Sequence, residues 1–165
     1  MPVVSNTSPL LGLAAIQQLS LLKKYYTGIL IPPAVLYELK TSSNFSGSKT
    51  LRQALRAGWI RTIKVNNQHL VQALTLELDH GEAEAIALAL ELDLSQVLMD
   101  EQDGRSRAKA MGLSPVGVLG ILLRAKRIGD IASVKEAMVS LRLEIGFFIS
   151  DNLFQSILAE AGEEL

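Results

Sequence analysis

The sequence contains no cysteine, which excludes disulfides, thiolate zinc sites and cysteine nucleophiles. Aromatic residues make up only 5% of it, too few for an extensive base-stacking platform. No apolar stretch approaches the length of a membrane span, and the start, MPVVSNTSPL, lacks the charged region and long apolar core of a signal peptide. A cytoplasmic location with no membrane partner is therefore expected. An excess of one charge is missing too: the formal net charge of −1 gives no global basic signature, although a local basic rim is compatible with it. No GxGxxG, Walker loop or GxSxG elbow occurs, which argues against nucleotide-cofactor enzymes and serine hydrolases. His69 and His80 have no metal-ligand partner spacing, and His80 has a helix-start explanation.

What is present describes a folded chain. Hydrophobic residues supply 48% of 165 positions and charged residues 20%, which excludes general disorder and fits one domain over residues 1–165. Val3–Val4 begins a short strand, and Ser8-Pro9 reads as the opening of a helix, serine at the cap and proline at the first position. Gly28 to Ile31 is a second strand, stopped by Pro32-Pro33, with a helix from Ala34 to Lys40. Thr41 to Lys49 is the one polar low-complexity stretch and reads as a loop. Helices are expected over Leu51–Ala57, Leu70–Leu78, His80–Leu92, Arg105–Met111, Val118–Arg127, Val134–Leu143 and Asp151–Ala161. Trp59–Val65 reads as an edge strand, Val97–Met99 as a core strand and Ser114–Val116 as a very short one. Strands alternating with helices imply an α/β/α sandwich around a short, mostly parallel sheet.

The chemistry concentrates where the strand at Val97–Met99 ends in Asp100, Glu101 and Asp103. In open α/β sheets, sites form outside the carboxyl ends of strands. Two carboxylates about 4 Å apart repel by roughly 4 kcal/mol at an effective dielectric near 20. A hard divalent cation with oxygen ligands is one way to offset that, and a solvated turn with a helix cap is the plainer alternative. Asp100 would project from the strand end, Glu101 elsewhere, and Asp103 either caps the next helix at Gly104 or joins the site.

The other acids divide by context. Asp79 and Glu82 fit a capping box, so Glu82 has a structural explanation. Glu84 has none: it is a lone charge in the helix HGEAEAIALALEL, costly to bury unless paired or metal-bound. Asn6 reads as a turn or cap residue whose amide oxygen could also bind a cation. Glu38 reads as a solvated helix position. Basic residues cluster in Arg105, Arg107 and Lys109 and in Arg124, Lys126 and Arg127, mostly as solvated faces; Arg105, one turn from the acids, is the best candidate for a phosphate contact.

Taken together, VVSNTSPL, ILIPPAVLYEL, GEAEAIALAL, VLMDEQDGR and PVGVLGILLRAKR, in that order, resemble a PIN-like domain over nearly the whole chain. The resemblance is to an uncharacterised prokaryotic branch of predicted nucleic-acid-binding proteins related to toxin ribonucleases of toxin–antitoxin modules. It implies the sandwich already expected, with three or four acids around Mg²⁺ or Mn²⁺ that hydrolyse phosphodiesters in single-stranded RNA. Residue by residue, the first acid falls on Asn6, with Thr7 and Ser8 as neighbouring substrate-facing hydroxyls. The second falls on Glu38, the third on Glu84 and the fourth on Asp100, with Asp103 as an alternate.

The departure is Asn6, where active members usually carry aspartate; a neutral ligand should lower Mg²⁺ affinity. Two readings follow. One is a metal-dependent endoribonuclease, which the resemblance extends to a toxin held by an antitoxin protein. The other, motivated by Asn6 and the near-neutral charge, is a catalytically weakened PIN fold that serves as a nucleic-acid-binding or protein-interaction module and forms a homodimer.

Overall fold

A computed structural model describes residues 1–42 and 45–164. Among these residues, five strands form one sheet in the order β3-β2-β1-β4-β5, every neighbouring pair parallel. The strands are β1 (Val3–Ser5), β2 (Ile29–Ile31), β3 (Ile60–Thr62), β4 (Gln96–Leu98) and β5 (Ser114–Val116). The helices are α1 (Thr7–Ala15), α2 (Ser20–Tyr25), α3 (Pro33–Thr41), α4 (Ser48–Ala57) and α5 (Gln68–Leu74), then α6 (His80–Glu91), α7 (Gln102–Ala110), α8 (Val118–Ile128), α9 (Val134–Ile145) and α10 (Asp151–Glu160).

The apolar strand runs are explained by burial on both faces, as parallel sheets require. Val3, Ile29, Ile31, Ile60 and Leu98 pack into one core with α1 to α4 and α8 to α10. Their neighbours Val4, Leu30, Val97 and Met99 pack into the other, under α5, α6 and α7. This period-2 alternation yields the three-layer sandwich expected from the sequence, now with an entirely parallel sheet. Helix α6 is buried from Gly81 to Ala89, and its alanines let it lie close to β1 and β4.

Several element boundaries differ from the local sequence signals. Helix α1 starts at Thr7, with Asn6 in the cap position but making no side-chain cap bond. Ser8 is therefore inside the first turn, and Pro9 is tolerated there because the first four helical N–H groups lack intrahelical partners anyway. Helix α3 runs on to Thr41 and α4 begins at Ser48, which shortens the expected loop from both ends; residues 43 and 44 lie outside the described residues. Helix α2 replaces an unassigned stretch, and β3 is three residues rather than seven. Helix α7 opens at Gln102, so Asp103 sits in its first turn and does not cap it. No helix among the described residues is long and apolar enough to cross a membrane.

Candidate active site

Strand order changes direction at β1. From β1 the chain crosses to β2 and β3 on one side, then returns to β4 and β5 on the other. That switch leaves a crevice at the carboxyl ends of β1 and β4, the usual ligand position in such sheets. Asn6 directly follows β1, and Asp100 stands two residues beyond the end of β4. The Asn6 N–H donates to Leu98 O at 2.9 Å, which ties the two strand ends together.

Asn6 is 4% exposed, and its Oδ1 is a buried acceptor with no hydrogen-bond partner in the described structure. Such a group costs free energy unless a donor, water or cation meets it. Glu38 reaches the same spot from α3. A Cβ on Gly81, at the start of α6, would collide with Glu38 Oε1 and come within 3.2 Å of Asn6 Oδ1. Gly81 thus leaves the room in which these two oxygens lie. The other Glu38 oxygen accepts the Thr7 hydroxyl at 2.7 Å.

Asp100 is fixed by two bonds: Ser8 Oγ donates to Oδ2 and Val118 N to Oδ1, both at 2.8 Å. The Thr7 and Ser8 hydroxyls, expected to face substrate, are thus committed to orienting Glu38 and Asp100. Arg105 Nη1 donates to Met99 O at 3.0 Å, and the guanidinium partly offsets the Asp100 charge. Burial nevertheless dominates and raises the Asp100 pKa; the Val118 N–H, Ser8 and Arg105 pull it down, while Glu101 pushes it up.

The two glutamates of α6 diverge. Glu84 Oε1 accepts Ala34 N at 2.8 Å, and Oε2 lies 3.5 Å from exposed His80 Nε2. Its carboxylate is therefore engaged at the first turn of α3. Glu82 forms the capping box with Asp79, as its sequence context indicates. It also lines an acidic cavity of about 260 Å³ with Asp79, Glu101, Gln102 and Asp103. Burial raises its pKa to about 7; the Asp79 N–H lowers it, and the negative charges of Asp79 and Glu101 add to the rise. Its Oε2 would lie 2.9 Å from a Cβ on Gly104, so the α6 capping group also borders α7. The Asp79–Glu82 pattern in the sequence indicates capping alone, because the cavity contact depends on residues of α7 distant in the chain.

Among the described residues, no three His, Cys, Asp or Glu side chains come close enough to hold a metal ion. The structure brings Glu38 to Asn6 and places Asp100 on the adjoining strand end. It seats Glu84 one helical turn below Gly81, and Asp103 on the exposed rim of the Glu82 cavity. The orphaned Asn6 Oδ1 beside a carboxylate oxygen is an arrangement that fits a hard cation or its bound water.

A parallel α/β/α sandwich with oxygen-rich side chains at its switch point is compatible with a nuclease-type fold. The family model DUF3368, described as a PIN domain, matches residues 2–163. The chain belongs to the PIN domain family, whose members generally use divalent metals. A comparison with curated proteins gave no match.

Proposed function

We propose that the protein is a metal-dependent endoribonuclease that hydrolyses phosphodiesters in single-stranded RNA. The observation that carries this reading is the buried, unpartnered Asn6 Oδ1 beside Glu38, with Asp100 on the neighbouring strand end. Asn6, Glu38 and Asp100 would hold Mg²⁺ or Mn²⁺, with Glu82, Glu84 and Asp103 as the outlying acids. The bound cation would supply Lewis acidity and a water of lowered pKa.

The chain's own residues account for the rest. Thr7 holds one Glu38 oxygen, leaving Oε1 to face the cation beside Asn6, and the attacking water gives its proton to solvent. Ser8 and Val118 N hold Asp100 rigidly, a condition for keeping a reacting group in line. Arg105 spends one donor on Met99 O and has others to meet phosphate charge. Water oxygen forms the new P–O bond as the opposite ester bond breaks, and the leaving oxygen takes a proton from solvent.

A toxin role with an antitoxin partner belongs to the same reading and rests on family membership alone. Asn6, neutral where a carboxylate would bind metal more tightly, supports the second reading of a weakened enzyme that still binds nucleic acid, with a homodimer as its assembly. The test is cleavage of single-stranded RNA with Mn²⁺ by the parent and by Asp100→Asn. Cleavage by the parent and its loss in the variant support the nuclease. Equal cleavage by both removes Asp100 from the mechanism, and no cleavage by the parent favours the weakened fold.

A further inference from the structure

The near-zero net charge conceals a polarised chain. Between Glu38 and Glu77 there is no Asp or Glu, while Lys40, Lys49, Arg52, Arg56, Arg61 and Lys64 all fall in that interval. This interval carries a formal +6, and the rest of the chain the balance of −7 against the total of −1. All six cations are exposed, and among the described residues none of them forms a salt bridge. Exposed cations without an ion-pair partner give a field that attracts an anionic polymer.

Their placement is ordered. Lys49, Arg52 and Arg56 recur at helical spacing along one side of α4, opposite the buried Leu51 and Ala54. Lys40, on α3, and Arg52 line one groove of about 130 Å³, whose remaining walls include Leu39, Phe45, Leu51 and Leu55. An apolar slot with an aromatic edge and two cations suits a nucleotide, base inside and phosphate at the lip. Tyr37, 70% exposed, precedes Lys40 by three residues on the same side of α3 and directly adjoins Glu38 in sequence. Arg61 and Lys64 have a plainer use: they follow the edge strand β3, where cations deter edge-to-edge pairing.

We infer that α3 and α4 form a track for a single-stranded phosphodiester chain, with Lys40, Arg52 and Arg56 neutralising phosphates and Tyr37 stacking a base. The inference rests on the nuclease reading for its substrate class alone, because Lys40 lies two positions from Glu38 on α3 and so faces away from it. Its chemistry does not require cleavage.

The experiment is fluorescence anisotropy of a labelled oligouridylate with the full chain in EDTA, as a function of salt. The parent should bind with an affinity that falls steeply with salt. Replacing two phosphate contacts in Lys40→Ala/Arg52→Ala should reduce the log–log salt slope by about 1.4 and weaken binding about tenfold or more at low salt. Tyr37→Ala should weaken binding about fivefold or more with the salt slope unchanged. Lys109→Ala/Arg127→Ala is the charge-matched control and should retain parental binding. No salt-dependent binding by the parent, or equal losses in the control pair and the track pair, would overturn the track. Binding measured in EDTA is read apart from Mn²⁺-dependent cleavage, so the track and the nuclease reading stand or fall separately.

Discussion

Glu84 accepts the backbone N–H of Ala34 at 2.8 Å, and Ala34 lies one helical turn before Glu38 on α3. A carboxylate at a helix N-terminus meets free N–H groups and the positive end of the dipole. Glu84 therefore joins α6 to α3 and, through α3, sets the height at which Glu38 meets Gly81. Glu84→Gln keeps an oxygen acceptor for Ala34 N–H, whereas Glu84→Ala removes it. The alanine variant should lose about 1–3 kcal/mol in urea unfolding, and the glutamine variant distinctly less. Equal losses would show that the charge, not the bond to Ala34, is what matters.

Gly81 allows a second test that separates site from fold. Alanine is the better helix former by at most about 1 kcal/mol, so Gly81→Ala should leave the melting temperature nearly unchanged. The added methyl would displace the flexible end of Glu38 and crowd Asn6 Oδ1. Mn²⁺ affinity should fall while thermal stability holds. A variant that binds Mn²⁺ like the parent would mean that the Asn6–Glu38 space is not the cation's place.

The pH dependence of stability should carry the mark of Glu82. Its folded pKa, raised to about 7 by burial, exceeds the ordinary value of 4.5. Between those values the folded state keeps a proton that the unfolded state has lost, so stability falls as pH rises through this window. Chemical denaturation at several pH values should show that slope in the parent. Glu82→Gln, which cannot ionise, should flatten it; an unchanged slope would place the titration elsewhere.

Much of this architecture was legible from sequence because strands buried on both faces have a simple signature. Val97–Met99 followed by Asp100 marked both β4 and its acidic end, and the Asp79–Glu82 pair marked the start of α6. What stayed hidden depends on contacts distant in sequence. Ser8 has the local look of a cap, but its hydroxyl bonds Asp100, 92 residues away. Asn6 looked like a turn residue, and only burial reveals its oxygen as unpartnered. The Glu82 and Glu84 carboxylates diverge because helical geometry turns residues two apart to different neighbours. The cationic stretch from Lys40 to Lys64 was readable all along; its six charges are spaced too widely to register as a cluster, and the net charge averages them away.

The Asn6 substitution gives a direct handle on the metal. Asn6→Asp would place a carboxylate beside Glu38 Oε1, and without a cation the added repulsion should destabilise the fold. With Mn²⁺ present the same variant should gain stability, following the linkage between binding and folding. Thermal unfolding with and without Mn²⁺ should therefore show a larger metal-dependent shift for the variant than for the parent.

A divalent-cation site formed by Asn6, Glu38 and Asp100 at the β1–β4 switch point is open to calorimetric titration of the full chain with Mn²⁺. One site per chain is expected, weakened at least about tenfold in Glu38→Gln and in Asp100→Asn and strengthened in Asn6→Asp. No heat of binding in the parent, or the same affinity in all four proteins, would contradict it.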